Sequence, residues 1–432
     1  MINLKNDIIL KEGIKYFDFA ASSLALKSVE NEILRILHTY ANVHSKTSEN
    51  SVITQNYYEN ARAKFKKLLN VNDDFSLISC GFGATSALKK LWEILGIYIP
   101  PMSLNRLNLK KENLSNLPLV IVSPYEHHSN EIPLRFCLCE VVRIPLNSQG
   151  LIDFDFLANL LKQNKSREII ASFNMASNLT GIVIDYKKLY LMIKSYGGKV
   201  VFDATAFIPH FDVDFNFCDA LVFSPHKLLG GVGSSGILVI KNSLFQSEIP
   251  TFAGGGTLAY TDSKTQRFYI DYERIEEAGT PGITQFIRSY LVYKFRHDIG
   301  IKYIKEKETE LENYFLDKIS KIKQIKLYGN LQTLRVPIFA INLKDVRANI
   351  FAEILSKKYL IQTRSGCACA GSYGRDLLNM KNDDNLLEKS AFLRISLNFS
   401  HDKNDIDYLI NAIENIAKNR NKIHIVNGEY RC

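Results

Sequence analysis

Five short bursts of almost wholly apolar residues, separated by helix-period segments, set the strongest limit on how this chain can fold. They are "FSLIS" (Phe75–Ser79), "PLVIV" (Pro118–Val122), "EIIASF" (Glu168–Phe173), "KVVFD" (Lys199–Asp203) and "ALVFS" (Ala220–Ser224). A strand with one wet face alternates apolar and polar residues. These bursts do not alternate, so both of their faces must be covered. Helical segments such as "GATSALKKLWEIL" lie between them. The pattern predicts an α/β fold: a large domain with a mostly parallel central sheet covered by helices. A helix-like stretch, Ser28–Tyr40, precedes the sheet, and the polar, proline-bounded segment Pro100–Pro118 reads as a surface insertion. After "GIKYIKEKETELENYFLDKI" come short strands ("VPIFAINL", "AFLRISL") and two more helices, which predicts a smaller C-terminal α+β domain. The expected division is an N-terminal arm over residues 1–25, the large domain over 26–300 and the small domain over 301–432.

The composition narrows the class. With 432 residues, 46% hydrophobic and 23% charged, the chain can bury a sizeable core. The net charge of +9 is spread over solvated helix faces, with no basic run interleaved with aromatics, so no nucleic-acid partner is expected. No segment approaches the roughly 18 apolar residues of a membrane span. Seven cysteines without framework spacing, and a start ("MINLKNDIIL") lacking an apolar leader core, predict a reducing cytoplasm.

In open α/β sheets, ligands bind beyond the carboxyl ends of the strands. After "FSLIS" comes "CGFGATSA", where Gly83, Ala84 and Thr85 open a helix. Free N–H groups, the helix dipole and hydroxyls make a phosphate cradle there; a plain strand-to-helix turn is the alternative. After "PLVIV" comes "SPYEHHSN", with Glu126, His127 and His128. No ligand spacing supports a metal, so none is expected, and an imidazole stacked on a flat ligand or packed in the core is favoured. Asn178 follows "EIIASF", and Asp203 ends "KVVFD". Ser224, His226 and Lys227 follow "ALVF" in "SPHKLLGGVGSSG". A lysine between an apolar strand and glycines can be partly desolvated, as a Schiff-base lysine must be. Each feature alone has an ordinary structural reading. Together, at one sheet edge, they are what pyridoxal phosphate requires: phosphate donors, an acid for the pyridine nitrogen and a lysine for its aldehyde.

The cysteines of "TRSGCACAGSYG" (Thr363–Gly374) are open to three readings: a metal clip, a disulfide or a nucleophile. One C-x-C offers too few ligands for a closed zinc site, and a bridge between residues one apart would be strained.

The motifs "YFDFAASS", "NVHS", "YEHHSN", "SPHKLLGG", "GGGT", "EEAGTPG", "RSGCACAG" and "LRISL" resemble those of the aminotransferase class V family of fold-type I pyridoxal-phosphate enzymes, on the cysteine desulfurase/selenocysteine lyase branch. The resemblance covers nearly the whole chain. It implies that Lys227 bonds to the cofactor, Asp203 pairs with its ring nitrogen, His127 stacks on the ring and Asn178 sits near the ring hydroxyl. Thr85, Ser224 and His226, with Gly83 and Ala84, would hold the phosphate, joined by Thr257 of a neighbouring subunit in a homodimer with shared sites. Arg394 would clamp the substrate carboxylate, with Arg364, Asn42 and His44 also at the substrate. Cys369, five residues after Arg364, has the spacing of the family's sulfur-accepting cysteine, and Arg364 would favour its thiolate. Cys367 falls where many desulfurases carry a histidine, and "DATA" puts Ala206 where a glutamine is usual. The expected reaction removes sulfur or selenium from L-cysteine or a related amino acid through a persulfide on Cys369, leaving alanine, with a sulfur-acceptor protein as a possible partner. The alternatives keep the cofactor but not the cysteine's role: a C–S β-lyase, a kynureninase-like hydrolase, an epimerase or a transaminase.

Overall fold

A computed structural model of the chain describes residues 4–380, 391–423, 425–426 and 429–430, so parts of the expected arm and small domain lie outside the described residues. Seven strands form the central sheet. Their order is Phe75–Cys80, Gly236–Lys241, Ala220–Phe223, Lys199–Asp203, Ile169–Asn174, Leu119–Val122 and Glu140–Arg143. Gly236–Lys241 runs antiparallel to both of its neighbours, and the remaining pairs are parallel. Every residue of Leu119–Val122, Ile169–Asn174 and Ala220–Phe223 is buried, as continuous apolar bursts require.

The two-residue period of these strands separates two cores. On one face Ile78, Val120, Val201, Val222 and Leu238 meet Leu88, Leu91 and Trp92 of the helix Gly83–Ile94. On the other face Leu77, Ile121, Phe202, Leu221 and Val239 meet Phe65 of the helix Glu49–Leu69 and Phe286 of the helix Ile283–Ile299. Full burial of one such side chain contributes roughly 1.5–3 kcal/mol, so the sheet and its covering helices form a stiff frame. Two of the strands were not among the expected bursts. Glu140–Arg143 is a half-exposed edge strand, and Gly236–Lys241 follows the glycine-rich loop.

A second sheet is wholly antiparallel, in the order Ile325–Tyr328, Ile338–Leu343, Phe392–Ser396 and Arg364–Gly366. It has its own core, in which Phe339, Ile341, Leu393 and Ile395 pack with Phe315, Ile350 and Leu409. Residues 15–18 return to this half of the molecule. Lys15–Tyr16 pairs in parallel with Ile361–Gln362, Phe17 enters the core and Asp18 bridges to Ser396. The segment expected to be an insertion forms a short helix, Pro101–Arg106, and a turn, Lys111–Asn113, with nothing buried in either. Among the described residues, no helix is long and apolar enough to cross a membrane.

Candidate active site

The carboxyl ends of the parallel strands open on a cavity of 380 Å³ whose far wall comes from the second sheet. Strand direction decides what reaches it. Asp203 ends one strand, Gly83, Ala84, Thr85, His127, Asn178, Ser224, His226 and Lys227 follow the carboxyl ends of others that run the same way, and all line it. The antiparallel strand Gly236–Lys241 begins where its neighbours end, so its preceding residues, Gly233 and Ser234, line the same cavity.

The cradle is built around one hydroxyl. Ser224 Oγ accepts the Ala84 N–H at 2.7 Å, which ties the start of the Gly83–Ile94 helix to the loop after the next-but-one strand. Gly83 has φ +66°, and a Cβ there would stand 2.9 Å from Ser224 Oγ. Glycine alone suits both the backbone and the space. Thr85 Oγ1 and Ser129 Oγ share a hydrogen at 2.7 Å. His226 Nδ1 lies 3.2 Å from Ser22 Oγ, and burial lowers its pKa to about 4. The cradle therefore holds a neutral imidazole.

His127 is set by a carboxylate beside it. Glu126 is buried and receives N–H groups from Ser123 (3.1 Å), Asn174 (3.0 Å) and the Asn130 side chain (2.7 Å). It pegs the turn after Leu119–Val122 to the end of Ile169–Asn174, and burial raises its pKa to about 7. His127 Nδ1 accepts the Ser129 N–H at 3.1 Å, which leaves the ring hydrogen on Nε2. Burial, with Lys227 next, lowers its pKa to about 3, so the ring is uncharged at neutral pH.

Asp203 is buried and Lys227 half-buried. Asp203 Oδ1 accepts the Thr205 N–H at 2.9 Å, yet burial still pushes its carboxyl above the usual range. Burial and then Arg394 pull Lys227 down to about 8, against the pull of Asp203. A buried carboxylate that favours its neutral form is short of a cationic partner, and a lysine at about 8 keeps an appreciable neutral fraction near pH 7.

The opposite wall carries the positive charge. Arg364 and Arg394 face each other directly across the antiparallel pair Arg364–Gly366 and Phe392–Ser396. Arg394 is 2% exposed; it donates to Asp18 Oδ1 (2.8 Å) and to the Asn178 carbonyl oxygen (3.0 Å). Arg364 reaches Cys369 Sγ at 3.8 Å. Cys369 is half-buried, whereas Cys80, Cys137, Cys139 and Cys218 are buried and their thiols are pushed up by burial. Ala368 and Cys369 are both left-handed, φ +50° and +56°. That backbone costs about 1 kcal/mol or more per residue. Three hydrogen bonds of about 1 kcal/mol each offset it. Asn178 Nδ2 donates to the Ala368 carbonyl oxygen (2.7 Å), His128 N–H to that of Cys369 (2.8 Å), and Ala370 N–H to that of Cys367 (2.9 Å).

Three expected residues are not brought to this cavity within one chain. Asn42 donates to Thr280 Oγ1 (2.8 Å), His44 Nε2 lies 2.9 Å from the Gly279 carbonyl oxygen, and Thr257 is buried with its hydroxyl on the Gly254 carbonyl oxygen (2.7 Å). Other lining residues escaped sequence reasoning: Ser129, Thr205 and Ser234, together with Asp18 behind Arg394. Asn178 Oδ1, Thr205 Oγ1 and Ser234 Oγ are buried without a partner. Among the described residues, no group of three or more His, Cys, Asp or Glu could hold a metal ion.

Residues 15–409 match the aminotransferase class-V family, and the chain belongs to that family. Within the family, it is 31% identical over 413 residues, 94% of each chain, to a probable cysteine desulfurase of Ureaplasma parvum. It is 29% identical over 366 residues to a cysteine desulfurase of Salmonella typhimurium, covering 83% of this chain and 84% of that one. Its fold is similar to that of an apo cysteine desulfurase from Thermococcus onnurineus, with TM-score 0.80, 22% identity and coverage of 96% and 98%. It is likewise similar to that of the cysteine desulfurase CsdA of Escherichia coli in an S-sulfonic acid form, with TM-score 0.76, 23% identity and coverage of 96% and 97%.

Proposed function

We propose that this protein is a pyridoxal-phosphate-dependent cysteine desulfurase. The observation that carries the reading is the Arg364–Cys369 contact, 3.8 Å, in the wall opposite Lys227 and Asp203 of one cavity. The residues present fit the cofactor. The cradle at Gly83–Thr85 offers a helix N-terminus, hydroxyls and a neutral imidazole to a phosphate. Asp203 is the buried acid that a pyridinium would partner, and the unpartnered atoms of Asn178, Thr205 and Ser234 await hydrogen-bonding groups. Thr205 supplies a hydroxyl one residue before Ala206, where the family's usual glutamine is missing.

Pyridoxal phosphate bound there supplies an electron sink for a carbanion at the substrate's α-carbon. His127, neutral and held by Ser129, covers one face of the site. Arg394 is oriented by Asp18 to bind the substrate carboxylate, and the fixed guanidinium selects an α-amino acid by its charge. The Lys227 amine, neutral in part near pH 7, takes and returns the α-proton. Cys369 Sγ forms a bond to the substrate sulfur as the Cβ–S bond breaks. A proton replaces sulfur on Cβ, so cysteine becomes alanine and Cys369 a persulfide. Arg364 gives the attacking thiolate of Cys369 a charge partner before its electron pair goes into the S–S bond. The persulfide passes its sulfur to a thiol reductant or an acceptor protein. Asn42, His44 and Thr257, placed outside this cavity, are read as contributions to the cavity of a second copy.

The test is to incubate the cofactor-loaded protein with L-cysteine and a thiol reductant. Alanine and sulfide should appear in equal amounts. Pyruvate and ammonia would make it a β-lyase, and no product from cysteine would end the desulfurase reading.

A further inference from the structure

His128 has no part in the chemistry above, yet it touches the nucleophile's loop twice. It opens the short helix His128–Leu134. Its backbone N–H donates to the Cys369 carbonyl oxygen at 2.8 Å, and its ring Nε2 accepts the Gly371 N–H at 2.8 Å. The two bonds grip the loop on either side of Ala370. A Cβ on Gly371 would stand 2.9 Å from that nitrogen, so a larger residue there would push the ring aside. An imidazole that accepts at Nε2 is neutral, with its hydrogen on Nδ1. Burial holds His128 below the usual histidine range and keeps it in that form. The segment it grips is the one that needs holding, because two consecutive non-glycine residues, Ala368 and Cys369, are left-handed. Without an anchor, such a segment relaxes toward the right-handed or extended backbone and carries its side chains with it. Asn178 anchors the loop at Ala368 but nothing beyond it.

We propose that His128 is a positioning residue for Cys369, its two hydrogen bonds holding the loop in the conformation that keeps the thiol beside Arg364. The inference rests on the desulfurase reading of the same cavity. The ring is a clamp between the large sheet's His128–Leu134 helix and the small sheet's loop, and it is not among the residues that line the cavity.

The test compares His128→Ala, His128→Gln and Gly371→Ala in the cofactor-loaded, full-length protein. A glutamine side-chain oxygen can still accept the Gly371 N–H, whereas alanine cannot. Hydrogen exchange of the 367–371 segment, measured without substrate, should quicken about tenfold in His128→Ala and in Gly371→Ala. The kcat for L-cysteine should fall roughly 10²-fold, the scale on which a misplaced reacting group is felt. KM should stay within about threefold, because Arg394 still holds the carboxylate. His128→Gln should restore both slow exchange and most of kcat. An unchanged cofactor absorption band and thermal midpoint establish that each variant is folded. Wild-type exchange or wild-type kcat in His128→Ala would overturn the proposal, as would a folded His128→Gln no better than alanine. Should the wild type yield no alanine from cysteine, the desulfurase reading falls, while the exchange measurement still judges the clamp.

Discussion

Lys227 and Cys369 line the same cavity, but one stands beyond a fully buried strand and the other in a half-exposed loop. The wall of Lys227 stands on fully buried strands, and burial sets its chemistry: it lowers the amine of Lys227, raises the carboxyl of Asp203 and keeps His127 neutral. The wall of Cys369 is set by contacts instead, through a charge from Arg364 and hydrogen bonds that offset a left-handed backbone. On the proposed function, the difference follows from what each wall would handle. A resident cofactor is best served by a preorganised frame. A sulfur passed on after each turnover would need a carrier that solvent and an acceptor can reach.

The comparison breaks most sharply if the two walls are removed separately. Lys227→Ala should lower desulfuration by roughly 10⁴-fold or more, the scale of losing a covalent catalyst. The absorption band that borohydride bleaches should vanish with it. Appreciable turnover in that variant would place the essential amine elsewhere. Cys369→Ser should lower alanine formation from cysteine by roughly 10³-fold while leaving the borohydride-sensitive band intact. A serine variant that turns over normally would make Cys369 a bystander and restore the β-lyase or transaminase alternatives.

The smallest effect concerns pH and sharpens the claim that burial tunes the Lys227 wall. Only the neutral amine captures the cofactor's aldehyde, and burial pulls Lys227 down to about 8. Capture by the cofactor-free protein should therefore quicken about tenfold per pH unit well below pH 8 and level off above it. An ordinary lysine would still be gaining at pH 10. Stopped-flow absorbance distinguishes the two profiles, and a rate still climbing steeply past pH 9 would show that Lys227 is not depressed.

Much of the Lys227 wall was legible in the sequence, because its residues follow apolar bursts directly. A strand buried on both faces writes itself as an unbroken apolar run, so the positions after "ALVF" and "KVVF" could be found by counting. Ser234 was harder to see, since it precedes its strand, and only the antiparallel direction of Gly236–Lys241 brings it to the same edge. The other wall was legible by family spacing, not by pattern. That Arg364 and Arg394 are cross-strand partners, or that Asp18 orients Arg394, depends on strand pairings between residues distant in sequence, and no local signal carries them. His128 was visible but without a role: the family resemblance assigned only His127 to the cofactor ring, and tertiary contacts alone place His128 on the loop.

The pairing of Asp18 with Arg394 has a consequence for the order in which the protein can mature. The two residues come from opposite ends of the chain, and the closure entropy of so long a loop is met only when contacts around it form together. The Phe75–Cys80 strand waits in the same way for Gly236–Lys241, its one neighbour in the sheet. Every residue of the phosphate cradle precedes Arg394 in the chain, so the carboxylate clamp is the last part of the cavity that the sequence supplies.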